Sequence, residues 1–90
     1  MIAGLIPFWI EFDYPADREA PAGTRIGVGV TAMDKRDALR LVAHRVFNDA
    51  PLPALKDVRE NVDIATLDAG HVRPSIGSPH VRGVWFPPGY

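Results

Sequence analysis

A chain of 90 residues, 47% hydrophobic and 23% charged, suits one domain, is too short for two, and has a composition that excludes a disordered polymer. It has no cysteine, which excludes a disulfide framework, thiolate zinc ligation and a cysteine nucleophile, and leans towards a reducing compartment, the cytoplasm. A net charge of −1 argues against bulk nucleic-acid binding, while 9 prolines and 8 glycines announce a large share of turn and loop.

The charges fall in blocks. Residues 1–24 are net acidic through Glu11, Asp13, Asp17 and Glu19, and residues 25–48 are net basic through Arg25, Lys35, Arg36, Arg40 and Arg45. Residues 49–70 return to acidic, and residues 71–90 hold Arg73 and Arg82 with no acid. Such alternation suits electrostatic self-complementarity within the fold or across a subunit interface.

The apolar stretch from Met1 to Ile10 lacks a basic flank, contains Pro7 and gives way to Glu11 and Asp13, so it reads as a strand and not as a targeting or membrane-spanning segment. Phe8, Ile10, Phe12 and Tyr14 alternate with Trp9, Glu11 and Asp13, which gives a strand with one buried aromatic face. Residues 15–24 form a loop. A second strand follows, with Ile26, Val28, Val30 and Ala32 inward and Gly27, Gly29 and Thr31 opposite; it should pair antiparallel with the first.

Asp34 then caps a helix, answered by Asp37 three residues on, with Met33 placed to staple against Ala38. Its apolar stripe is Leu39, Val42, Ala43 and Val46, widened by Ala38 and Phe47, and it ends at Asn48 ahead of Pro51 and Pro53. Leu55 and Val58 suit a single helical turn, and Val62, Ile64 and Thr66 alternate as a third strand. Residues 71–80 are irregular, and Val81 to Phe86 suits a short edge strand stopped by Pro87 and Pro88. The expected fold is a single small α+β domain of order β-β-α-β(-β), mainly antiparallel, with the helix on one face. Trp9 and the glycines of the second strand then share the other face, where an exposed tryptophan favours a dimer.

Several patterns resemble functional motifs. Gly27 to Ala32 matches G-x-G-x-x-A, but the strand runs through the glycines, where a dinucleotide fingerprint needs them in a turn; room for a large side chain such as Trp9 explains them, and no cofactor is expected. Asp68, His71 and His80 have ligand chemistry without a fourth partner, so no metal is expected either. Ser75 and Ser78 lack a nucleophile-elbow context, and Glu11 with Asp13 reads as a wet strand face. The basic helix side, Lys35, Arg36, Arg40, His44 and Arg45, is accounted for by solvation, so a nucleic-acid partner is not expected.

The acid-free segment holding His71, Arg73, Ser75, Ser78, His80 and Arg82 combines guanidinium, imidazole and hydroxyl groups that can bind phosphate or carboxylate. Trp85, Phe86 and Tyr90 set aromatics beside prolines and, with Trp9, are the candidate interface residues. From His71 to Pro87 the chain resembles the tail of small bacterial proteins with the pattern H-V-x-P-x-x-G-x-P-x-x-R-G-x-W-x-P, which implies that His71, Pro74, Gly77, Arg82 and Trp85 act as one unit. The expectation is a small interaction protein, a homo-oligomer or the binder of a protein partner, with no membrane association. The alternative is an anion-binding domain or minor enzyme using the loop from His71 to Arg82.

Overall fold

The computed structural model describes residues 4–15, 19–21, 23–63, 66–67 and 81–87. They form β1 (Ile6–Asp13), β2 (Val28–Ala32), α1 (Lys35–Arg45), β3 (Ala54–Glu60) and β4 (Gly83–Phe86). The four strands make one antiparallel sheet in the order β3-β1-β2-β4. This is the α+β architecture expected, with the helix packed on one face.

The period-two pattern of β1 sorts its side chains between two cores. Phe8, Ile10 and Phe12 join Val28, Val30 and Ala32 of β2 beneath Ala38, Leu41 and Val42 of α1, closed by Val46 and Phe47. Tyr14 extends this layer: its ring lies 6.1 Å from that of Phe12, and its hydroxyl donates to Thr24 Oγ1 at 2.8 Å. Thr24, wholly buried, donates in turn to the Pro21 carbonyl at 2.7 Å, so the loop between β1 and β2 is pinned by satisfied hydroxyls.

Among the described residues the opposite face of the sheet has no helix. Trp9, Trp85 and Phe86 fill it together with Val62 and Leu67. Gly29 of β2 and Gly27 just before it make this possible. A Cβ at Gly27 would lie 2.6 Å from Trp9 Cε2, and one at Gly29 would lie 2.5 Å from Trp85 Cε3. The two indoles therefore rest on bare backbone, which is the role of the G-x-G string.

β4 brings both of its aromatics to this face through an irregularity. Gly29 is opposite Phe86 while Val30 is opposite Val84, so Trp85 falls between registers. Such a bulge turns two consecutive side chains to one side, where strict alternation would send them apart.

Five expectations need correction. The third strand is Ala54–Glu60, not Val62 to Thr66, and Leu55 and Val58 belong to it and not to a helical turn. Six of its seven positions are exposed, so backbone pairing with β1 makes it a strand without any apolar alternation to announce it. Val62 and Leu67 instead fold beneath Trp9, and Thr66 lies in a short turn. Ile26 is 44% exposed because β2 begins only at Val28, after Gly27 at φ +152°.

The buried stripe of α1 is turned towards Leu41, with Leu39 only partly buried, because the helix packs chiefly on β2 and β4. Met33 is 62% exposed and staples nothing, although the cap itself forms: Asp37 N–H donates to Asp34 Oδ1 at 2.8 Å.

Gly29→Ala tests the indole seat. The added methyl is expected to cost about 1–3 kcal/mol, measured by chemical denaturation, because Trp85 must leave its place on the strand. In a Trp85→Leu background the same substitution should cost clearly less; equal costs would show that the contact is not the cause.

Candidate functional site

Three places concentrate polar chemistry near the sequence-derived candidates: the start of α1, the indole face, and the free side of β3. Each is built from elements already placed.

At the start of α1, Asp37 does two jobs. Its Oδ2 accepts the Met33 N–H at 3.0 Å, completing a reciprocal cap with Asp34, and its carboxylate also receives the Arg82 guanidinium. Arg82 Nε donates to Oδ2 at 2.9 Å and Nη2 donates to Oδ1, a bidentate fork. Arg82 immediately precedes β4, so this pair ties the entry of the last strand to the N-terminus of the helix, 45 residues away in sequence. The guanidinium, and then the Met33 amide, hold the Asp37 carboxyl well below its ordinary 3.8, at about 2. The same carboxylate raises Arg82.

Beside this pair lies an open depression of about 200 Å³ lined by Met33, Asp34, Arg36, Asp37 and Arg40. Arg36 and Arg40 stand one helical turn apart on its wall. An anion entering it would meet the carboxylates of Asp34 and Asp37, already spent on the helix amides and on Arg82. Chemically the bowl is a screened surface and not an electropositive cradle.

Arg82 is the one described member of the sequence-derived anion set. His71, Arg73, Ser75, Ser78 and His80 lie outside the described residues, as does Tyr90. Among the described residues no three His, Asp or Glu side chains gather as metal ligands would, and no helix is long and apolar enough to cross a membrane.

The aromatic candidates are brought together. Trp9, Trp85 and Phe86 are 3%, 2% and 3% exposed, with ring centroids of Trp9 6.2 Å from Trp85 and 5.6 Å from Phe86. These are offset, tilted contacts of the favourable kind. Trp9 Nε1–H donates to Glu11 Oε2 at 3.2 Å, whereas Trp85 Nε1 is buried without a partner among the described residues.

Sequence reasoning missed the polar cluster that grows from Glu11. In the β1–β3 register Trp9 faces Arg59 and Glu11 faces Asp57. Glu11 and Asp57 are thus like charges directly opposite one another, an arrangement that destabilises a strand pair. Among the described residues Arg59 bridges them, with Nη2 3.9 Å from Glu11 Oε2 and Nε 4.0 Å from Asp57 Oδ2. The signal was available in the alternating signs of Lys56, Asp57, Arg59 and Glu60, but it carries meaning only once the segment is known to be a strand.

Comparison with family models, with curated proteins and with solved structures finds no match to this chain.

The Asp37–Arg82 pair makes a pH prediction. Asp37 binds its proton more weakly folded than unfolded, so its contribution is complete above pH 3.8 and is lost as pH falls towards about 2. Thermal melts of Asp37→Asn should therefore fall less steeply across that window than those of the wild type. In Arg82→Gln, an NMR titration of the Asp37 carboxyl should move back towards the ordinary value. An unmoved titration would show that the fork does not form in solution.

Proposed function

We propose that this chain is a non-enzymatic interaction protein that works through contact with another polypeptide, its own copy or a different one. The observation that carries this reading is the contrast between the faces and the edge of the sheet. One face is covered by α1 and the other by the indole layer, while β3 ends the sheet with six of its seven residues exposed. An antiparallel edge offers a row of backbone N–H and C=O groups to a further strand, and it is the surface on which strand addition occurs.

The small size of the chain supports the same reading, since a domain of this length has little core and gains stability by association. The anion-binding alternative draws less support. Its described arginine, Arg82, is already committed to Asp37.

Sedimentation of the full chain over a wide concentration range tests the proposal. The expected outcome is an average mass that rises above 9.9 kDa with concentration. A mass fixed at that value, together with a melting temperature raised by phosphate and returned to its starting value by Arg82→Ala, would overturn it and establish the loop from His71 to Arg82 as an anion site.

A further inference from the structure

We infer that the β3 edge, which has no partner beyond β1 among the described residues, is occupied by the β3 edge of a second copy, paired antiparallel about a two-fold axis at Val58 to make one continuous sheet of eight strands. The inference rests on the interaction reading above and specifies its partner, its surface and its register.

The charges of β3 select both partner and register. An antiparallel pair of identical strands must be centred on one residue facing itself. Centring on Asp57 would set two carboxylates face to face, and centring on Arg59 would do the same to two guanidiniums, each a destabilising cross-strand pair. Centring on Val58 sets Asp57 opposite the partner's Arg59, twice over by symmetry, and sets Lys56 towards the partner's Glu60. The apolar residue then lies on the axis with an attractive pair on each side. Only this choice among the three is electrostatically complementary.

Among the described residues this complement is unfilled within one chain. Glu11 and Asp57 face each other across β1 and β3 with Arg59 as their one described bridge, at 3.9 and 4.0 Å. A second Arg59, arriving directly opposite Asp57 from the other side, supplies the missing cation. Its place on the face that carries Trp9 and Glu11 follows from the strand's own alternation, since Trp9, Glu11, Asp57 and Arg59 occupy the same side of the sheet.

α1 lies over β2 and β4, at the far side of the sheet from β3. Val58, packed at the margin of the main core, would be joined across the axis by its own copy, extending the apolar layer through the interface. The register irregularity that skips Lys56 marks the end of the regular edge, so the pairing centres on Asp57 to Arg59.

The chain has no cysteine, so single cysteines report the register without background. Val58→Cys should cross-link to a covalent dimer under mild oxidation. Lys56→Cys should not, because two residues on each side of the axis separate its copies by roughly 13 Å along the strands. Asp57→Arg should shift the sedimentation equilibrium to monomer, since it faces the partner's Arg59, while relieving the like-charge pair with Glu11 within the chain. The swapped chain carrying both Asp57→Arg and Arg59→Asp should recover the dimer, a rescue that loss of folding could not produce.

A dimer indifferent to Asp57→Arg and uncross-linked at Val58→Cys would overturn the edge assignment and leave self-association standing by another surface. A wild-type chain that stays monomeric at high protein concentration would overturn the second copy as occupant, and leave a different protein as the partner of the broader reading. Cross-linking at Lys56→Cys in preference to Val58→Cys would overturn the register.

Discussion

Trp9 and Trp85 lie against β2 because Gly27 and Gly29 leave its backbone bare, and much of the molecule depends on that contact. Among the described residues the sheet has one helix to cover one face. Its second face would be wet, and a strand whose other side carries Val28 and Val30 would be half-supported. Two indoles supply the missing layer at the cost of two side chains on the central strand. Their rings can approach closer than any Cβ would permit, and that closeness lets a domain with so few residues bury both sides of its sheet.

The ends of the chain segment between β2 and β4 are held by a different interaction. Asp37 closes the helix cap and accepts the fork from Arg82, so the helix start and the entry to β4 share one carboxylate. β4 itself is short, and its bulge delivers Trp85 and Phe86 together to the indole face. The ion pair and the aromatic layer thus act on the same strand from opposite ends. β3 and β4 are the two edges of the sheet, and of these β3 is the one whose charged residues stand exposed in a row.

Alternation in the sequence was enough to find β1 and β2, because their side chains divide between two buried layers and the pattern records the division; β4 was legible only as an apolar run ahead of Pro87 and Pro88, since its bulge breaks the alternation. The helix was legible from its cap, although Leu39, Leu41 and Ala43 are similar enough in polarity that the direction of its buried face was not. β3 was invisible for a physical reason. It is held by main-chain bonds to β1 and presents almost nothing to a core, so hydrophobic period has nothing to record. The site residues divided in the same way: the aromatic set was legible from composition, whereas Asp57 and Arg59 gained meaning only from their register against Glu11 and Trp9. Arg82 was legible as a cation but not as the partner of Asp37, a pairing that spans the whole helix and the segment after it.

The placement of both indoles on one face also gives the molecule an uneven optical signature. The chain has 2 tryptophans, and both belong to the layer opposite the helix. One indole nitrogen faces a carboxylate and the other sits in apolar surroundings without a partner among the described residues, with 6.2 Å between ring centroids. Two such chromophores at that spacing couple their transitions, so the tryptophan bands of near-ultraviolet circular dichroism and tryptophan emission report the indole layer, while Tyr14 on the helix side contributes only to the tyrosine bands. Far-ultraviolet signal, dominated by backbone, reports the rest. A difference between the two melts would therefore separate the release of β4 from the loss of the helix within a single unlabelled sample.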